Sequence, residues 1–193
     1  MNIEFDPTLH RYTVDGETYP SVTQILKAVL GIKWQADEWA MGRGSAVHAC
    51  AAMIARGQEF EFDPIIAPQV DAIRRFFHEV RPQLYKVEYA VASRVYRFAG
   101  TLDMLASIDG HMAIVDWKSS SDIDRTSLQC AGYAIALGAN DYDVTFMYEV
   151  VLKEDGTYSM SKRINLRPYM REFLAVLTVY GIKERMGLNV PSE

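Results

Sequence analysis

Apolar residues between positions 84 and 118 recur with a period near two, and on both sides of that stretch the period lengthens towards 3.6. The short-period part predicts strands over 84–92, 96–107 and 111–118. In the last of these Ile114, Val115 and Trp117 make both faces apolar, as in a strand buried on both sides. Upstream, Ser21-Val22-Thr23-Gln24 reads as a capping box that opens a short helix through Leu30. Residues 34–56 read as helical but interrupted at Gly42 and Gly44, with Gly57 as the stop. A third helix is predicted from Ile66 to Val80, with Val70, Ile73, Phe77 and Val80 on one face and Pro82 beyond its end. Downstream come a helix over 125–137 ending at Gly138, strands over 143–151 and 157–163, and a last helix from Pro168 to Met186. The first residues, IEFDPTLHRYTVDGETYP, alternate well enough for a small hairpin. Helices before and after a central group of strands predict an α+β chain layered α/β/α, a mixed sheet with helices packed across it.

One hairpin carries chemistry. Asp109-Gly110 separates two of the strands, and that dipeptide is a strong signal for a two-residue turn. A tight turn there pairs Ile108 with His111, and every rung further out joins residues whose numbers sum to 219. Asp103 then faces Asp116, and Lys118 lies on the same face as Asp116, two residues on. Directly opposed side chains have Cβ atoms only about 4.5–5.5 Å apart, and like charges there destabilise the sheet. Two carboxylates so placed point to a divalent cation between them, with a lysine beside it. Without the cation the pair should repel, so neutralising Asp103 as asparagine is expected to cost no stability.

The chain's 193 residues suit one domain spanning 1–193, with the chemistry-bearing core at about 43–140 and the segments 1–40 and 143–187 as accessory elements. No apolar run approaches the ~18 residues of a membrane span, and the N-terminal dozen lacks the charged and apolar regions of a signal peptide. A cytoplasmic protein, bacterial or of a phage-infected host, is the expectation. Cys50 and Cys130 form no CxxC pair and no zinc or iron–sulfur spacing, so both read as buried free thiols. The net charge of −5 argues against a non-specific polyanion coat without excluding a nucleic-acid substrate, because the local field is what matters. Arg43, Arg74, Arg75, Arg94, Arg97, Lys118 and Arg125 are expected to supply positive charge near the site. No GxxxxGK[ST] motif is present, so no nucleotide cofactor is implied.

Other residues gain meaning from their order. Glu88 lies on the more polar face of its strand, His48 sits in a helix starting near Gly44, and Gln129 and Tyr133 are an i,i+4 pair on one helix face. Taken alone, each also fits a structural role. In sequence they read Arg43-Gly44-Ser45-Ala46-Val47-His48, Glu88, Gly100-Thr101-Leu102-Asp103, Asp116-Trp117-Lys118 and Gln129-Cys130-Ala131-Gly132-Tyr133. This set resembles the RecB-type branch of the PD-(D/E)XK nuclease superfamily, which carries GxxxH, an acidic residue, GxxD, (D/E)xK and QxxxY in this order. Small single-domain phage exonucleases are the nearest type. The resemblance covers residues 43–133.

It implies a restriction-endonuclease-like core, a central mixed sheet of about four strands flanked by helices, and Mg²⁺- or Mn²⁺-dependent hydrolysis of DNA. Asp103, Asp116 and Glu88 would then be catalytic carboxylates that hold the metal, with His48 and the backbone carbonyl of Trp117 as further ligands. A helix-borne histidine like His48 is associated with the exonuclease members. Lys118 would orient the attacking water, while Gln129 and Tyr133 would hold the DNA strand or buttress the site. Arg43, Ser119 and Arg125 would contact DNA. The resemblance further implies single- or double-stranded DNA ends as substrate, in recombination, repair or phage DNA processing. A recombination or single-strand annealing protein would be its partner, and an oligomer is compatible with it. Two cysteines in the wrong places exclude the four-cysteine iron–sulfur cluster of some members. Three alternatives stay open: a catalytically inactive DNA-binding module of the same fold, a structure-specific endonuclease, and an unrelated metal-dependent hydrolase. The N-terminal hairpin and final helix lie outside the resemblance and would form a strand-guiding arch or an oligomer contact.

Overall fold

The computed structural model describes residues 1–31, 38–138 and 142–188, the side chains of 38–41 excepted. A three-stranded antiparallel sheet comes first, β1 (Ile3–Asp6), β2 (Arg11–Val14) and β3 (Glu17–Tyr19), one strand more than the expected hairpin. Helix α1 (Val22–Leu30) follows under the predicted capping box, in which the Gln24 N–H donates to Ser21 Oγ at 3.0 Å and the Ser21 N–H to Gln24 Oε1 at 2.8 Å. Gly31 ends it at φ 63°, a left-handed conformation that glycine adopts without steric cost.

Helix α2 (Glu38–Ala55) runs unbroken through Gly42 and Gly44, so the expected interruption does not occur. A helical glycine costs only about 1 kcal/mol relative to alanine, and the packing of Val47, Cys50 and Ala51 into the core outweighs it. The predicted start of this helix, 34–37, lies outside the described residues. A short 3₁₀ turn (Pro64–Ile66) leads into α3 (Ala67–Val80). The main sheet then forms from β4 (Gln83–Ser93), β5 (Phe98–Ile108) and β6 (His111–Lys118), crosses through α4 (Ile123–Gly138) to β7 (Phe146–Leu152) and β8 (Tyr158–Arg163), and the chain ends in α5 (Arg167–Arg185).

The order β4-β5-β6-β7-β8 is antiparallel except for the parallel pair β6–β7, which α4 connects. It adds the edge strand β8 to the four-strand core. Two apolar layers hold the sheet. On one face Leu102, Leu105 and Ile114 pack with Ile25 of α1, Leu137 of α4 and Phe173 of α5. On the other, Met104, Val115 and Trp117 pack with Val47 of α2 and Ile73 and Phe76 of α3. The small N-terminal sheet is fixed to the main one: Tyr12, Val14 and Tyr19 pack on Ala92 and Ala99, and Tyr12 Oη lies 2.8 Å from Thr101 Oγ1. Among the described residues no helix is long and apolar enough to cross a membrane.

Candidate active site

The β5–β6 turn has the expected form, with Asp109 and Gly110 both at positive φ (52° and 79°). Its register runs as predicted from Ile108↔His111 to Met104↔Val115, and there the ladder stops. The next rung would join Asp103 to Asp116. Instead the Asp103 side chain enters the gap, and its Oδ2 accepts the Trp117 backbone N–H at 2.9 Å. The β4–β5 ladder is broken at the same level: Val87 pairs with Met104 and Tyr89 with Leu102, while Glu88 and Asp103 between them are unpaired. Glu88, Asp103 and Asp116 thus share one row across three strands where the sheet opens.

The break has a local cause. Glu88 sits at φ 47°, a left-handed conformation that costs a non-glycine residue about 1–2 kcal/mol and takes its peptide groups out of the ladder. Strain of this kind persists only where the surrounding structure holds the residue in place, here at a carboxylate facing a cleft. α2 supplies the remaining donor. Its buried Val47, Cys50 and Ala51 fix the helix on the sheet, and His48 turns towards β5 with Nδ1 3.0 Å from Asp103 Oδ1. Ligand atoms of His48, Glu88 and Asp103 all lie within 4.8 Å of one another.

Asp116 and Lys118 make the second half of the site. Asp116 is 1% exposed, its Oδ2 has no hydrogen-bond partner of good geometry, and the Lys118 ammonium stands 2.6 Å from it. Lys118 Nζ also donates to Gln129 Oε1 at 3.2 Å, and Gln129 Nε2 donates to Tyr133 Oη at 3.0 Å. The expected Gln129–Tyr133 pair is therefore a buried chain ending on the lysine. Gly100 makes room for it. A Cβ there would lie 2.6 Å from Tyr133 Cε1, so only glycine lets that ring lie on β5.

Burial and mutual charge set the protonation pattern. Burial pushes the Asp116 carboxyl up, Lys118 pulls it down, and the charge of Asp103 pushes it up again, leaving it at about 6. Asp103 goes the other way. Burial raises it, but the charge and hydrogen bond of His48, with Lys118 and the Trp117 N–H, bring it below the ordinary carboxylate value. Burial pulls His48 down, and the charge and hydrogen bond of Asp103, helped by Asp116, more than reverse this to about 9. Glu88 is raised by burial and by Asp103. For Lys118, Asp116 and Asp103 outweigh desolvation and raise the pKa, so its ammonium is a donor and not a base at neutral pH.

An imidazole and carboxylate oxygens converging on one point, beside the buried carboxylate of Asp116, fit a hard divalent cation such as Mg²⁺ or Mn²⁺. Binding through His48 would displace the proton it now shares with Asp103. Of the expected DNA-contact residues, Arg43 and Ser119 line a cleft with Lys118, while the guanidinium of Arg125 is tied to Asp122 at 3.1 Å. Four of the expected cations are engaged elsewhere: Arg74 pairs with Asp71, Arg75 with Glu79, Arg94 with Asp15 and Arg97 with Glu17. Cys50 and Cys130 are buried and free, as expected.

Two contributors escape the sequence reading. Arg56, two turns beyond His48, reaches the cleft that His48 and Glu88 line; its spacing of eight from His48 is the signal that could have found it. Glu149, fully buried, accepts from Ser121 Oγ (2.7 Å), Asp122 N (3.1 Å) and Thr126 Oγ1 (2.6 Å), pinning the β6–α4 connection beside the site. It pairs with Asp116 across the parallel β6–β7 ladder, which no local pattern shows.

The sequence profile of the PD-(D/E)XK nuclease superfamily matches residues 61–163. A search of curated proteins finds no match. Among solved structures, a presumed exonuclease from Eubacterium rectale is similar over 89% of this chain and 82% of its own, at 12% identity and a TM-score of 0.57. A phage-related exonuclease from Haemophilus somnus matches over 89% and 96% at 13% identity (TM-score 0.45), and an alkaline exonuclease from Laribacter hongkongensis over 88% and 93% at 11% (TM-score 0.43).

Proposed function

The chain belongs to the PD-(D/E)XK nuclease superfamily, and on that premise we propose that it hydrolyses phosphodiester bonds of DNA with Mg²⁺ or Mn²⁺, acting as an exonuclease. The observation that carries the reading is the convergence of His48, Glu88 and Asp103 donors within 4.8 Å, coupled through the charge of Asp103 to Asp116 and Lys118. The cation would be held by Asp103, Glu88 and His48, with Asp116 and the Trp117 carbonyl completing its shell from β6. When bound, it supplies Lewis-acid polarisation of the phosphate and lowers the pKa of a water.

The protein's own groups do the rest. Lys118 is a charged donor set on Asp116 and Gln129, so it can hold a water or a phosphate oxygen and offset the negative charge that grows in the transition state. Gln129 and Tyr133 act as a buttress for Lys118: both are buried, and Gln129 spends its oxygen on Lys118 and its amide on Tyr133. Arg43 and Ser119, which line the cleft with Lys118, would contact the strand, and Arg125 would have to exchange Asp122 for a phosphate. Exonuclease action is favoured by the helix-borne His48 and by the description of the Eubacterium rectale neighbour; recombination, repair or phage DNA processing are settings such an activity fits.

The test is a gel assay with 5′- and 3′-labelled single- and double-stranded oligonucleotides in Mg²⁺, Mn²⁺ and EDTA. The expected result is stepwise shortening from one end with either metal and none in EDTA. Internal cuts would replace exonuclease by endonuclease. Metal-independent or absent cleavage would refute the hydrolytic reading and leave a binding module.

A further inference from the structure

Two clefts meet at the site and, among the described residues, share only Gly44 and His48. The smaller, about 400 Å³, carries Arg43, Lys118 and Ser119. The larger, about 720 Å³, lies between the N-terminal sheet, α2 and the main sheet, with His48, Glu88 and Arg56 on one side and Phe5, His10 and Tyr12 on the other. A strand crossing the site would occupy one cleft on each side of the reacting phosphate.

The aromatic wall is built and rigid. Phe5 lies on Tyr12, ring centroids 4.6 Å apart and planes at 29°, and His10 meets Phe5 edge-on at 5.4 Å and 87°. Tyr12 is buried and its hydroxyl is held on Thr101, so the stack is fixed to β5, two residues from Asp103. The β1–β2 turn is locked by Asp6 Oδ1, which accepts the N–H groups of Thr8 (2.9 Å) and Leu9 (3.1 Å). Phe5 is nevertheless 39% exposed and borders the cleft, so part of its ring stays open to a ligand there.

From this juxtaposition we infer that Phe5, with His10, is a stacking platform for an unpaired base of the DNA strand whose phosphate reaches His48 and Glu88. The inference rests on the nuclease reading and adds where the base goes and what state it is in. A flat aromatic face takes any base, because every base has a π-face. The cleft volume, about 720 Å³, lies within the about 300–1,000 Å³ of sites that hold one small ligand, which suits a single nucleotide. A ring already ordered against Tyr12 loses little freedom on binding. A base stacked on Phe5 has left its own duplex stack, so the substrate inferred at this position is single-stranded or frayed.

The test uses the whole chain and oligo(dT) carrying 2-aminopurine at successive positions, with Ca²⁺ in place of Mg²⁺ and oligonucleotide integrity checked on a gel. Stacking on an aromatic ring quenches 2-aminopurine, while anisotropy of an end-labelled oligo(dT) reports binding separately. Wild type is expected to bind and to quench strongly at one position. Phe5→Ala should abolish that quenching and weaken binding about 5- to 100-fold, and Phe5→Tyr should retain both. If Phe5→Ala melts like wild type and quenches equally, or if Phe5→Tyr is as defective as Phe5→Ala, the platform is wrong while the nuclease reading stands. If wild type does not bind oligo(dT) at all, the platform is wrong, and cleavage of the duplex oligonucleotides decides the nuclease reading separately.

Discussion

Replacing either aspartate of the β5–β6 pair by its neutral isostere should move apo stability in opposite directions. Asp116, 1% exposed, has its carboxyl raised from 3.8 to about 6, and a rise of about two units corresponds to about 3 kcal/mol. The folded protein binds that proton more tightly than the unfolded chain, so the ionised carboxylate opposes folding. Its cost is complete above pH about 6 and fades as pH falls towards 3.8. In EDTA at pH 8, Asp116→Asn should therefore be more stable than wild type by up to about 3 kcal/mol, an advantage that vanishes near pH 4. Asp103 has its pKa lowered, so its ionised form supports the fold. Breaking a buried pair costs about 3–5 kcal/mol; the His48 side chain is 34% exposed and asparagine still accepts the Trp117 N–H, so Asp103→Asn should lose about 2–3 kcal/mol. Urea melts of the three proteins at pH 8 and pH 4.5, in EDTA, decide it. A destabilised Asp116→Asn at pH 8, or an Asp103→Asn as stable as wild type, would refute the reasoning.

Gly100→Ala should lose about 1–3 kcal/mol in a thermal or urea melt, because its Cβ would meet the Tyr133 ring at 2.6 Å; a neutral result would mean the ring gives way freely. Gly42→Ala, in the second turn of α2 with nothing within 4 Å of an added Cβ, should instead gain about 0.5–1 kcal/mol. His48→Ala should shrink the Mn²⁺-induced rise in melting temperature and impair cleavage without abolishing it. Full activity and a full metal response would make His48 structural.

Most of the fold was legible because its signals are local. The Asp109-Gly110 turn fixed the register of two strands, the Ser21–Gln24 capping box fixed the start of α1, and apolar periods located nearly every element. What could not be read is what depends on neighbours far along the chain. The register placed Asp103 opposite Asp116 and predicted mutual repulsion, so neutralising Asp103 looked free of cost. The motif order brought His48, 55 positions earlier, to the same cation as Asp103, but the register could not show that it would sit 3.0 Å from Asp103 and take up its charge, leaving the penalty on Asp116. The left-handed Glu88 that opens the ladder carries no sequence mark, because a glutamate there contradicts its own conformational preference. The arginines misled for the opposite reason: each meets a surface acid, a pairing that charge counting along the chain does not reveal.

Lys118→Ala tests the central claim most directly, because it separates the cation site from the group that works beside it. Single-turnover cleavage of an end-labelled oligonucleotide in Mn²⁺ should fall to near zero in this variant, while the Mn²⁺-induced rise in melting temperature persists through Asp103, Glu88 and His48. Cleavage at a rate near that of wild type would contradict the account.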